Sequence, residues 1–105
     1  MRWTVFYSAK AKQDLQSIYE YIAFDLWSPD TAEAQIKRID EMIQSLDAFP
    51  FRHPVNDTEP LKSKGFRSVA VGNYVIIYLP QEKDCTVTIY RIIYGGRDLT
   101  NQGIE

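Results

Sequence analysis

The sequence contains one cysteine, Cys85, and one histidine, His53. A lone cysteine has no partner within the chain for a disulfide. Together with a single histidine it also falls short of the three or four sulfur and nitrogen ligands that a zinc site needs. We therefore expect neither a disulfide nor a metal site, and we expect no cofactor.

Long apolar runs are also lacking. No segment approaches the roughly 20 consecutive apolar residues that a membrane-spanning helix needs. The opening Met1-Arg2-Trp3-Thr4 leads directly into a strand-like run and does not have the pattern of a signal peptide. We expect a cytoplasmic protein without membrane contacts, and a length of 105 residues predicts one compact domain over residues 1–105.

The chain has no surplus of positive charge, since its formal net charge is -2. Residues 1–59 hold six Lys and Arg against ten Asp and Glu, whereas residues 60–105 hold six against four. Binding to a nucleic-acid backbone takes a Lys or Arg for each phosphate that is neutralised. Direct sequence-specific nucleic-acid binding is therefore not expected.

Two segments of the first half have apolar residues at helical spacing. In the first segment, which Ser8 is placed to cap, these residues are Ala11, Leu15, Ile18, Tyr19 and Ile22. The second segment begins after Ser28-Pro29, a pair typical of a helix start, and its stripe is Ala32, Ile36, Ile39, Ile43 and Leu46. Two such amphipathic helices are expected to form an antiparallel hairpin that rests on a sheet.

Four segments have the β-branched and aromatic composition of strands. They are residues 3–7, 66–71, 74–79 and 86–94. Gly72-Asn73 suits a tight hairpin turn, and residues 50–65 are predicted to form an ordered loop. The predicted fold class is α+β, in the order β-α-α-β-β-β, with an antiparallel helical hairpin packed on a mostly antiparallel four-stranded sheet.

A set of short motifs is spread over this predicted topology. They are Asp14-Leu15 and Tyr21-Ile22 in the first helix, Leu46 and Pro50 around the end of the second, Gly65-Phe66-Arg67, the run from Tyr74 to Tyr78, and the ending from Arg91 to Asp98. In this order the motifs resemble the RelE/ParE superfamily of toxins over nearly the whole chain. The resemblance implies the toxin of a type II toxin-antitoxin module, with a role in plasmid stabilisation and a small cognate antitoxin, ParD-like or similar, as partner.

Two activities occur among the proteins that the chain resembles. RelE-like members are ribosome-dependent mRNA endoribonucleases, and ParE-like members inhibit DNA gyrase without known catalysis. A nuclease of this kind needs cations at the scissile phosphate and groups that transfer protons. The candidates for these roles are Arg67, Tyr94 and Arg97.

The sequence offers few residues that could transfer protons at a scissile phosphate. Val75 stands where similar RelE-like sequences carry an arginine, and residues 99–105 contain neither Tyr nor His. His53 lies far in sequence from the candidate arginines. We therefore expect a ParE-like gyrase inhibitor with no catalytic residue. The alternatives are a RelE-like endoribonuclease and a binding module without toxicity.

Seven residues are candidates for contacts with the target or the antitoxin: Arg67, Val75, Ile77, Arg91, Tyr94, Arg97 and Asp98. The arginines have structural alternatives as well. Arg67 suits the protection of a sheet edge, and Arg97-Asp98 suits a solvated turn. Arg91 lies within an apolar strand, so it requires either a carboxylate or a face that a partner covers.

Both faces of the predicted middle strand are apolar, with Val75 and Ile77 on one of them. The helical hairpin covers only one face. No long helix follows Arg97 to cover the other, and we expect a partner protein to bury the surface that remains open. Trp3 and Trp27 are expected to anchor the core or its rim.

Overall fold

The computed structural model describes residues 2–95. Two helices and four strands follow in the predicted order, so the α+β prediction is confirmed. Their bounds are β1 Thr4–Tyr7, α1 Ala9–Glu20, α2 Pro29–Ser45, β2 Arg67–Val71, β3 Tyr74–Gln81 and β4 Thr86–Tyr94. A π-helical turn, Tyr21–Asp25, extends α1, and a short 3-10 helix, Pro50–Arg52, follows α2.

The sheet has the strand order β1-β4-β3-β2. β1 is parallel to β4, and the other neighbours are antiparallel. β3 continues through Pro80 to Gln81, two residues past its predicted end. The pairing of β2 with β3 reaches only as far as Tyr78, so the last part of β3 is paired with β4 alone. A proline is tolerated in a strand that has one free edge.

Both helices begin at the predicted positions, but only α1 has a side-chain cap. The Ser8 hydroxyl accepts a hydrogen bond from the Ala11 amide at 3.0 Å. Pro29 occupies the first turn of α2, but the Ser28 hydroxyl donates to Thr31 Oγ1 and does not cap the helix. The predicted stripes face inward, with Ala11, Ile18, Ile39 and Ile43 buried.

The main core lies between the helical hairpin and one face of the sheet. Its sheet side is formed by buried residues of the two central strands, Ile76, Tyr78, Val87, Ile89 and Ile92. The helices contribute their stripes, and Leu46 closes the end of α2. The helical hairpin therefore covers this face of the sheet, and the opposite face is turned away from it.

The opposite face of the sheet is covered by the loop that precedes β2. Leu61 packs on Ile77 and Ile93, and the half-buried Phe66 lies at the edge of this second cluster. The chain itself therefore covers the centre of this face, whereas Val75 and Tyr90 beside it are only half-buried, and burial of the remaining surface by a partner stays a prediction. Ile77 has no exposed surface, so it does not form part of an accessible binding surface in this structure.

Within residues 2–95 no helix is long and apolar enough to cross a membrane. In the same part of the chain, no group of three or more His, Cys, Asp or Glu side chains has the arrangement of a metal site.

Candidate functional site

Arg67 holds the loop after α2 against the edge of the sheet. Its Nη1 donates to the carbonyl oxygens of Phe51, at 3.1 Å, and His53, at 2.6 Å. The guanidinium carbon lies 4.9 Å from the centroid of the Phe51 ring. An isolated bridge between Val55 and Arg67 adds a backbone contact. The guanidinium therefore binds the chain's own carbonyl groups.

His53 lies beside Arg67 although fourteen positions separate them in the sequence. Its ring meets Tyr78 edge to face, with 6.3 Å between the centroids. Burial lowers the pKa of His53, and the charge of Arg52 lowers it further. The Tyr78 hydroxyl donates to the Pro50 carbonyl at 2.7 Å, and burial raises the pKa of that tyrosine. Hydrogen bonds and a ring contact thus connect residues 50–53 of the loop to β2 and β3.

Arg91 reaches a carboxylate, which is the first of the two alternatives that the sequence left open. Its Nε lies 2.8 Å from Asp14 Oδ2, and both side chains are more than four-fifths buried. The hydrogen bond to Asp14 raises the pKa of Arg91. This guanidinium links α1 to β4.

Tyr94 pairs with Tyr74, the first residue of β3, and lies on the other side of that strand from Arg67. Its ring is half exposed and meets Tyr74 edge to face, with 5.8 Å between the centroids. Val75 is half-buried beside Gly95, whose amide donates to Asn73 O at 2.7 Å. These residues line a hollow around the hairpin turn of β2 and β3. Arg97 and Asp98 lie outside the described residues.

The structure does not bring Arg67 and Tyr94 together. Arg67 pairs with Tyr78 in the sheet, whereas Tyr94 pairs with Tyr74. At about 3.3 Å per residue, these positions on β3 are about 13 Å apart. Two of the three residues proposed for nuclease chemistry are therefore at separate sites.

A groove runs along the outer side of the helical hairpin. Its apolar floor includes Leu15 and Tyr19 of α1 and Ala34 and Ile36 of α2. Its rim is mainly acidic, with Asp30, Glu33 and Asp40 accompanied by Lys37. The Tyr7 hydroxyl donates to Asp40 at 2.6 Å, and burial together with this bond raises the pKa of the tyrosine. The groove suits an amphipathic segment with basic residues beside its apolar face.

A cluster of exposed side chains at the tip of the hairpin was not predicted from the sequence. We call Tyr21, Phe24, Leu26 and Trp27 the tip patch. The expectation for Trp27 is wrong, since its side chain is 88% exposed, whereas Trp3 does pack against the core. Four large apolar residues within seven positions were a signal in the sequence, because none of them belongs to the stripe of the first helix.

One family model matches nearly the whole chain. Residues 5–99 match the family model of the ParE toxin of the type II toxin-antitoxin system parDE. No curated protein matches the chain.

Solved structures from three organisms have the same fold. A chain of the chromosomal ParDE TA system from P. aeruginosa has a TM-score of 0.71 and 21% identity, covering 89% of this chain and 96% of that chain. The toxin-antitoxin complex RelBE2 from Mycobacterium tuberculosis gives 0.64 and 22%, with coverages of 90% and 99%. The archaeal RelE-RelB complex from Pyrococcus horikoshii gives 0.62 and 19%, with coverages of 93% and 100%. At these identities the likeness establishes the fold alone.

Proposed function

Because the chain belongs to the family of ParE toxins of type II toxin-antitoxin systems, we propose that it inhibits DNA gyrase and thereby blocks replication. A cognate ParD-like antitoxin holds it inactive, and both act in the cytoplasm. The toxin works by binding and has no catalytic residue.

The observation that carries this proposal is the position of Arg67. A nuclease must bring a cation and a proton-transfer group to one phosphate. Here the guanidinium of Arg67 donates to two loop carbonyls, and Arg67 lies opposite Tyr78 of β3, whereas Tyr94 lies opposite Tyr74. This separation supports a toxin that binds its target and does not cut RNA.

The charge of the chain supports a protein target as well. The sequence pI is about 5.4, and residues 1–59 carry the excess of carboxylates. A protein that docks among RNA phosphates gains much of its affinity from basic side chains. A ligand of another protein needs no such surplus.

The groove on the hairpin is the proposed docking site of the antitoxin. Its floor presents apolar side chains from both helices, and its rim carries three carboxylates. An amphipathic helix binds such a groove by its apolar face. Its flanking Lys and Arg side chains then meet the acidic rim.

The test is a supercoiling assay with purified gyrase, run beside a translation assay that maps cuts in ribosome-bound mRNA. We expect inhibition of supercoiling and no cuts, with Arg97→Ala weakening the inhibition and Tyr94→Phe preserving it. Cuts at discrete codons that Tyr94→Phe abolishes would replace the gyrase proposal with the nuclease alternative. Inactivity in both assays and in cells would leave a binding module without toxicity.

A further inference from the structure

The tip patch places four large side chains in water within seven residues. Their exposed fractions are Tyr21 51%, Phe24 66%, Leu26 54% and Trp27 88%. None of the four belongs to the buried clusters that stabilise the fold. Exposed apolar surface of this density, rich in Trp and Tyr, is typical of protein interfaces.

The backbone of the tip patch has unusual conformations that burial does not explain. The turn Tyr21–Asp25 is π-helical, a form frequent at functional sites. Trp27 has φ +56°, in the left-handed region, where the backbone of a residue with a side chain is strained. Glycine is the usual residue in this conformation after a helix. Trp27 therefore strains the backbone without making contacts in the core.

The charged residues of the segment that carries the tip patch are all negative. Residues 13–36 contain no Lys or Arg. Glu20, Asp25, Asp30 and Glu33 are exposed, and none of them forms an ion pair within residues 2–95. A phosphate backbone is repelled by such a rim. A second copy of the chain, docked through the same patch, would bring like charges together.

The tip patch adjoins both surfaces already described. Phe24 meets Tyr19 of the groove edge to face, with 6.3 Å between the centroids. On the other side, Tyr21 lies close enough to Tyr74 to contribute to the raised pKa of that residue, which burial mainly causes. A segment that fills the groove therefore ends next to the patch.

We propose that the tip patch is the surface that binds the protein target. It inserts into an apolar pocket on that protein, and the rim of the pocket carries Lys and Arg. The inference rests on the proposed function and adds to it the contact residues and their chemistry. Trp27 and Phe24 enter the pocket, and the carboxylates of the rim meet its basic residues. An antitoxin segment that continues from the groove past Phe24 covers the patch, so neutralisation is competition for this surface.

The experiment measures binding of the full-length toxin to purified gyrase. Trp27→Gly removes the ring and relieves the left-handed strain, so the variant should melt no lower than wild type. We expect its binding to weaken by about thirty-fold, or ~2 kcal/mol. Phe49→Gly is the matched control, since Phe49 is 82% exposed, has φ +51° and lies at the other end of α2. It should bind as wild type does.

A second pair of variants tests the charges. Asp25→Lys should weaken gyrase binding and reduce its sensitivity to salt, whereas Glu41→Lys, at an exposed position of α2 that does not line the groove, should change neither. Equal binding by wild type, Trp27→Gly and Asp25→Lys would overturn the proposal. So would equal losses in Trp27→Gly and Phe49→Gly.

The tip patch could also bind a second copy of the toxin or DNA, and each result would overturn the inference. The first would be a toxin dimer that Trp27→Gly dissociates, and the second would be duplex DNA bound by the toxin alone. If wild type does not bind gyrase, the proposed target fails, and growth inhibition in cells then decides for the patch. Full toxicity of Trp27→Gly would overturn it, and loss of toxicity with an unchanged melting temperature would support it.

Discussion

The carboxylate of Asp14 in α1 accepts two hydrogen bonds from the guanidinium of Arg91 in β4, at 2.8 Å from Nε and 3.1 Å from Nη2. Asp14 Oδ2 also accepts from the Ile92 amide at 2.9 Å. The register of β3 and β4 shifts at this point, between Ile77 and Tyr78. One carboxylate therefore fixes the helix to the sheet and satisfies the backbone at an irregularity.

Asp14→Ala should lower the free energy of unfolding by about 2 to 4 kcal/mol, because it leaves Arg91 and the Ile92 amide without their acceptor in a largely buried place. Urea unfolding measures the loss. Arg2→Ala is the control, since Arg2 pairs with Asp47 at the surface with its own side chain 84% exposed. Its effect should be below about 1 kcal/mol. Similar losses in the two variants would mean that the buried pair contributes no more than a surface one.

Ile39→Asp should unfold the protein, whereas Glu41→Lys should leave it folded. Ile39 is fully buried in the stripe of α2, and Glu41 is exposed on the same helix. An unpaired buried carboxylate is unfavourable by several kcal/mol, against a total stability of roughly 5 to 15 kcal/mol. Circular dichroism melts of both variants are the measurement. Matching melts would contradict the register of α2.

The main elements could be predicted because their signals are local. The stripe of α2 repeats at helical spacing, and the strand at 86–94 is a continuous β-prone run that the structure reproduces as Thr86–Tyr94. The cover of the second sheet face could not be predicted. Leu61 lies in a loop without periodicity, and nothing local indicates that the loop folds back over Ile77.

The candidate site was harder to predict than the fold because its contacts join distant residues. The carbonyl of His53 binds Arg67, and this contact depends on the path of the loop over the sheet edge. The sequence left two possible environments for Arg91, and its pairing with Asp14 depends on how α1 packs on β4. Trp27 lies between the helices with a left-handed backbone after a π-helical turn, and helical periodicity predicts neither conformation.

Stability should fall as the pH drops from about 7.5 to about 5.5, through His53. Burial, aided by Arg52, lowers the pKa of His53 below its ordinary value of 6.5. Below that pH the unfolded chain binds a proton that the folded protein does not, so protons favour unfolding. His53 is the only histidine, and most carboxylates titrate at lower pH.

His53→Gln should flatten this pH dependence, because glutamine does not titrate and the backbone carbonyl that Arg67 binds is kept. Urea unfolding of wild type and variant at several pH values across this range is the measurement. An identical slope in the two proteins would show that other groups are responsible.

Ala34→Arg should abolish neutralisation by the antitoxin without affecting the fold. Ala34 is exposed on α2 and lines the apolar groove, so a long charged side chain there blocks an incoming helix and remains in water. Titration of the toxin with the antitoxin tail, followed by melting temperature, measures the effect, since a ligand selective for the folded state must raise it. We expect a clear rise for wild type and almost none for Ala34→Arg, with equal melting temperatures before the peptide is added. Glu41→Arg adds the same side chain to the same helix outside the residues that line the groove, and it should behave as wild type. Equal stabilisation of all three proteins would place the antitoxin elsewhere on the toxin.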